Sequence, residues 1–211
     1  MIWNARPNEL NTGDFLKINV DWPGVGTSRD MKEGKPPKTI FTVGHSTHPI
    51  NDFNALLKSF NISRLVDIRN FPTSKRYPQF NKEALEQSLQ ENKIDYVHLK
   101  DLGGRRKPIV DSTNTRWRNS AFRGYADHMQ TEVFSKSVYI LEEIASTGPT
   151  AYMCAEAVWW SCHRSLVSDY LKIRGWKVMH IMTTHKANEH PYTSAARIFN
   201  GELHYDDPGL F

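Results

Sequence analysis

Five short runs rich in β-branched and aromatic residues recur along the chain, and the stretches between them carry apolar residues at helical spacing. No other feature limits the fold so tightly. Thr39-Ile40-Phe41-Thr42-Val43-Gly44 reads as a buried strand. Pro49 then suits a first helical turn, with Phe53, Leu56, Leu57 and Phe60 at i, i+3, i+4 and i+7. Arg64-Leu65-Val66-Asp67-Ile68-Arg69 gives a second strand, and Asn81 reads as the N-cap of a helix burying Ala84, Leu85 and Leu89. Ile94 to Leu99 alternates and gives a third strand. Helical turns are expected over 123–130 and 132–146, then a fourth strand from Thr150 to Cys154. A helix from about Cys162 turns Leu166, Val167, Tyr170 and Leu171 inward and ends at Gly175. Lys177 to Met182 is the fifth strand.

Buried strands alternating with helices imply parallel crossover units, hence an α/β fold of about five mainly parallel strands. A layered sheet with helices on both faces is the expected form, with an incomplete barrel as the alternative. Residues 39–211 form one α/β domain in this reading. Residues 1–38 lack a sustained period and are rich in Gly, Pro, Asn and Lys, so they read as an N-terminal extension or linker.

The 211 residues are enough to close a core without disulfides, and the two cysteines do not suggest a disulfide framework. A mean hydropathy of -0.58 fits a soluble globule. The absence of a long apolar run and of a secretory pattern after Met1 leads to the expectation of a cytoplasmic protein without membrane partners. The net charge of +4 is modest. Its distribution says more: Arg105, Arg106, Lys107, Arg116, Arg118 and Arg123 face one acid, Asp111, with Trp117, Phe122 and Tyr125 among them.

In parallel α/β sheets, ligands bind beyond the carboxyl ends of the strands. Here the first strand ends in Gly44-His45-Ser46, the second in Asp67-Ile68-Arg69, and the third in Lys100-Asp101-Leu102-Gly103-Gly104-Arg105-Arg106. The fourth ends in Cys154-Ala155-Glu156, its loop running through Trp159 and Trp160 to Cys162-His163-Arg164, and the fifth contains His180. Polar and ionisable groups at five successive strand ends point to a shared site.

The same stretches carry a family resemblance. Val43-Gly44-His45-Ser46, Asp67-Ile68-Arg69 with Pro72, Pro78-Gln79-Phe80-Asn81, Leu102-Gly103-Gly104-Arg105-Arg106, Phe122-Arg123-Gly124-Tyr125-Ala126 and Met153-Cys154-Ala155-Glu156 followed by Cys162-His163-Arg164 resemble the signatures of the DUF488 family over about residues 39–185. Lys75 departs from them, standing where the family often has arginine. The resemblance implies a fold and a common site, but no reaction.

Candidate catalytic groups are Glu156, His45, His163 and Cys162. Glu156 serves as acid, base or nucleophile, the histidines shuttle a proton, and Cys162 is a thiolate favoured by a helix N-terminus. Cys154 is its partner or a packing residue. Arg69, Arg76, Arg105, Arg106 and Arg164 suit a phosphate or carboxylate. Trp159, Trp160, Phe80 and Tyr125 suit a flat ring, Ser46 joins them as a ligand contact, and Asp67 orients an arginine such as Arg164. Neither a P-loop nor a nucleophile elbow is present. Cys154, Glu156, Cys162, His163, His45 and His180 include acceptable zinc ligands, yet the cysteine spacing is no zinc knuckle and Arg164 and Arg69 oppose a cation, so no metal or cofactor is expected.

The expected activity is that of an enzyme, a hydrolase or transferase, acting on a nucleobase, nucleotide or nucleic acid. The alternatives are a non-catalytic nucleotide or nucleic-acid binder using residues 105–123, or a thiol redox protein. The expected partner is a small anionic or nucleotide-like ligand.

Overall fold

The computed structural model describes residues 38–207; the extension read over 1–38 lies outside them but for its last residue. The described elements are β1 (Thr39–Gly44), α1 (Ile50–Ser59), β2 (Arg64–Asp67), α2 (Lys82–Glu91), β3 (Asp95–His98), α3 (Ser120–Met129), α4 (Glu132–Ser146), β4 (Thr150–Cys154), α5 (Arg164–Ile173), β5 (Lys177–Thr183), β6 (Lys186–Glu189), β7 (Arg197–Phe199) and β8 (Glu202–His204).

The main sheet has the order β3-β2-β4-β1-β5-β6. The first five strands are mutually parallel, and β6 runs antiparallel on β5. The sheet is open and layered, so the barrel alternative is set aside. β7 and β8 form a separate hairpin.

The connections explain the two layers. From β1 to β2 to β3 the chain steps one way across the sheet; from β3 to β4 to β5 it steps back. Right-handed crossovers then place α1 and α2 on one face and α3, α4 and α5 on the other. The two apolar clusters follow this division. Phe53, Leu57, Leu65, Phe80, Leu85, Leu89, Ala151 and Met153 pack on one face. Val66, Ile68, Tyr125, Phe134, Leu141, Tyr152, Leu166, Leu171 and Val178 pack on the other. Neighbouring residues of a strand thus serve opposite cores, as the two-residue period requires. Each fully buried leucine or phenylalanine contributes about 1.5–3 kcal/mol.

Two local expectations are corrected. Ala84 is exposed, because α2 turns only Leu85 and Leu89 fully inward. Asn81 does stand at the N-cap of α2, but its side chain makes no cap bond. Its Oδ1 instead accepts the backbone N–H of Ser74 at 2.5 Å, fixing the loop after β2.

Candidate functional site at the strand carboxyl ends

β4 is flanked by β2 and β1, whose following helices lie on the face opposite to the helix after β4. Connections that part to opposite faces leave a gap beyond the strand ends. The tip of β4 is Cys154. On one side stand Asp67 and Arg69, on the other Gly44 and His45. Backbone bonds close the assembly: His45 N–H donates to Cys154 O at 3.0 Å, Ser46 N–H to Ala155 O at 2.9 Å, and Ile68 N–H to Met153 O at 3.0 Å.

One group of side chains surrounds Asp67. Its carboxylate accepts Arg69 Nε at 2.9 and 3.0 Å, Arg69 Nη2 at 2.5 Å and the Tyr96 hydroxyl at 2.9 Å. Asp67 and Arg69 are both buried. The arginine that Asp67 meets is Arg69; the expected pairing with Arg164 is not formed, since Arg164 reaches Thr42 and the Glu156 and Ala157 carbonyls instead. Burial works against the Arg69 charge, but the Asp67 carboxylate more than offsets it. His45 lies 3.4 Å from Arg69 Nη1 through Nε2, and its Nδ1 is 3.0 Å from the Ser46 carbonyl. Its ring stacks on Phe80 at 4.1 Å. Burial, and after it the Arg69 charge, lowers the His45 pKa to about 4. The ring is therefore neutral near pH 7.

The second group is sulfur-centred. Cys162 Sγ lies 3.6 Å and Cys154 Sγ 3.9 Å from His163 Nδ1. All three ligand atoms fall within 4.8 Å of one another. His163 Nε2 is 3.2 Å from the Ile68 carbonyl, so the Nε2–H tautomer leaves an Nδ1 lone pair facing the sulfurs. Tyr125 packs against this ring at 5.0 Å and donates its hydroxyl to Leu102 O at 2.7 Å. The Cys154 thiol, donating to Cys162, is pushed well up by that bond and by burial. Burial also opposes ionisation of Cys162, but the bond from Cys154, the His163 imidazole and the Arg164 guanidinium outweigh it and hold that thiol well below its ordinary value.

Arg164 opens α5 and is only 2% exposed. Its Nη1 donates to Thr42 Oγ1 at 3.2 Å, and Nη2 donates to the carbonyls of Glu156 at 2.6 Å and Ala157 at 3.4 Å. Among the described residues it makes no ion pair, and its Nε has no partner. Glycines make this packing possible. A Cβ on Gly44 would meet Glu156 O at 1.8 Å, and one on Gly104 would meet His163 Nδ1 at 2.7 Å.

Other residues singled out in the sequence lie apart from these two groups or are committed elsewhere. Glu156 is exposed, and its backbone, not its carboxylate, engages Arg164. Arg76 is exposed over the Tyr77 ring, and Arg105 is exposed at a φ of 61°. Arg106 donates to Gly103 O and Asp101 O. Ser46 is half-buried at a φ of 46°. Trp160 is 56% exposed, while Trp159 is half-buried with its ring stacked on His180 at 4.4 Å. The basic segment is also partly structural, since Arg116 donates to Ala195 O and Ser194 O, and Arg123 to Trp117 O. Two surface concavities lie away from the sulfur cluster, one including Asn114, Tyr170 and Tyr205, the other Lys38, Glu142, Arg174 and Trp176.

Sequence reasoning did not anticipate a buried chain beside β5. Asp169 Oδ1 is 3.0 Å from His190 Nε2, and His190 Nδ1 is 2.8 Å from His180 Nε2. Thr193 and Tyr205 also donate to Asp169. The pair His190-Pro191 was the available signal. Burial, with His190 and Arg164 nearby, lowers the His180 pKa to about 2.

An open, mostly parallel α/β sheet with thiol, imidazole and guanidinium groups gathered at its strand tips defines the class of this protein. The family model "Domain of unknown function DUF488" matches residues 49–171, more than half of the chain, and the chain belongs to that family. The Gly44-His45-Ser46 motif falls just before the matched span. Comparison with curated proteins and with solved structures returned no match. Among the described residues, no helix is long and apolar enough to cross a membrane.

Proposed function

We propose that this chain is an enzyme whose reactive group is the Cys162 thiolate, acting on an anionic, nucleotide-like substrate. The supporting observation is the placement of Cys162 Sγ 3.6 Å from a His163 Nδ1 whose ring is fixed through Nε2 by the Ile68 carbonyl. A nucleophilic thiolate needs such a partner and a positive surrounding, here Arg164. Glu156, exposed on the loop after β4, supplies acid–base help. The exposed Arg76, Arg105 and Trp160 give the charge and the ring face an anionic aromatic substrate would meet.

The test is alkylation of the reduced protein by iodoacetamide as a function of pH, with the modified residue located by mass spectrometry. The expected result is Cys162 labelled before Cys154, with a rate that stays high below pH 7. Labelling that rises only above pH 8, or that falls first on Cys154, overturns the assignment. A second reading, dithiol redox exchange, is favoured by the proximity of Cys154. It predicts that a partner disulfide is reduced as a Cys154–Cys162 disulfide forms, with loss of that exchange in Cys154→Ser.

A further inference from the structure

We infer that Cys154, Cys162 and His163 form a binding site for one zinc-like divalent cation. This goes beyond the thiolate reading, which concerns the metal-free form: a bound cation would hold the same sulfurs and control when Cys162 is free to react. The first argument is geometric. With Zn–S near 2.3 Å and Zn–N near 2.0–2.1 Å, a tetrahedral ion separates sulfur from nitrogen by about 3.6 Å and sulfur from sulfur by about 3.8 Å. The observed sulfur–nitrogen distances are 3.6 and 3.9 Å, and all three atoms lie within 4.8 Å. The sulfur–nitrogen spacings therefore already suit a tetrahedral ion, and the two sulfurs lie within 4.8 Å of each other although the cysteines stand eight positions apart in sequence. The turn at Trp159–Ser161 brings Cys162 back to the tip of β4.

The second argument lies behind the ligands. A metal-binding histidine presents one nitrogen and donates the other N–H to a carbonyl or carboxylate, which fixes its tautomer. The Ile68 carbonyl does this for His163. Gly104 leaves the Nδ1 side free of a side chain, since a Cβ there would lie 2.7 Å from that nitrogen.

Charge is the third. Arg69 is neutralised by Asp67 and does not oppose a cation. Arg164 makes no ion pair among the described residues, and it aims Nη1 and Nη2 at Thr42 and the Glu156 and Ala157 carbonyls. Two thiolates cancel a dication, so the remaining Arg164 charge favours an anionic fourth ligand, such as hydroxide or a substrate oxyanion.

The experiment is titration of the reduced, chelator-treated full chain with Co2+ as a probe, followed by Zn2+. The expected result is a near-ultraviolet sulfur-to-cobalt charge-transfer band that saturates at one equivalent and is abolished by one equivalent of Zn2+. It should be lost in Cys154→Ser and in Cys162→Ser and weakened in His163→Gln, with far-ultraviolet circular dichroism retained. If a variant fails to fold, the wild-type chain alkylated at both cysteines serves the same purpose, and it must show no band. Absence of the band in the reduced wild-type chain, or its survival in either serine variant, overturns the site. Alkylation of the metal-free chain tests the thiolate reading separately, so a chain with fast Cys162 labelling and no cobalt band would refute only the metal site.

Discussion

Changing Asp67 to Asn tests the packing beneath the strand tips. In the native chain Asp67 is fully buried and meets three donors, two from Arg69 and one from Tyr96, and it also accepts the Arg69 backbone N–H at 3.0 Å. Asn keeps the shape and can still accept from Tyr96, but it leaves the 6%-exposed Arg69 guanidinium without a counter-charge. Breaking a buried pair in this way costs about 3–5 kcal/mol. A domain of this size has about 5–15 kcal/mol of stability, and each kcal/mol moves its midpoint by about 2–4 °C. The expected fall is therefore about 6–20 °C in Tm, with a matching decrease in the urea midpoint at unchanged slope. The control is Asp67→Asn combined with Arg69→Met, which removes the stranded charge. It should recover most of the loss and come within about 1 kcal/mol of the native chain. A loss below about 1 kcal/mol for the single variant would refute the reasoning, as would a double variant no more stable than the single one.

Acid should destabilise the fold early. His45 and His180 have folded pKa values lowered to about 4 and about 2, so below the ordinary value of 6.5 the unfolded chain binds protons that the folded one refuses. Stability then declines as pH falls from about 6.5, by up to about 2.7 kcal/mol per unit while both rings remain neutral only in the fold, and denaturant melts at stepped pH check this. Gly44→Ala should prevent folding or lower Tm severely, because its Cβ would sit 1.8 Å from a backbone oxygen. Gly104→Ala, whose Cβ meets the His163 ring, should instead displace that ring and slow Cys162 alkylation at neutral pH. Arg116→Ala should cost about 1–3 kcal/mol through its lost carbonyl bonds. If the chain binds oligonucleotides, that variant should leave the salt dependence unchanged, whereas Arg105→Ala with Arg118→Ala should lower it.

The five parallel strands were legible because each is a β-branched or aromatic run between turn residues. β6, Lys186-Ala187-Asn188-Glu189, was not. It is a polar strand that pairs, among the described residues, only with β5, where neither β propensity nor alternation is required. The β7–β8 hairpin did have a signal: Asn200-Gly201, both at positive φ, between two short runs. At the strand tips, residue type and position along each strand could be read ahead of the structure. Pairing could not. Whether Asp67 meets Arg69 or Arg164 depends on how the turn after β2 folds back, and whether Glu156 offers its carboxylate or its carbonyl depends on the path of the loop to Trp159. Gly103 and Gly104 were legible only as part of a motif; their reason is contact with Asn70 and His163 across the site.

Two arginines are buried at these strand ends, and the fold treats them differently. Arg69 has its carboxylate two residues away, and the pair is complete without any other molecule. Arg164 has only neutral oxygens around its Nη atoms, and its Nε has no partner among the described residues. A guanidinium surrounded by neutral oxygens projects its charge onto whatever ionises nearby. Here that means Cys154, Cys162 and Tyr152, whose anionic forms it favours, and His180, whose protonation it resists. The same charge thus favours negative charge on the sulfur side and adds to the burial and the His190 contact that keep the imidazole on the β5 side neutral. An ordinary structural arginine would be better served by a carboxylate at position 42, where Thr42 stands beside His180 in the sheet. A carboxylate there would cancel the field that the thiols feel. The neutral hydroxyl preserves it, and Thr42→Asp should therefore raise the Cys162 pKa even if the salt bridge it creates stabilises the fold.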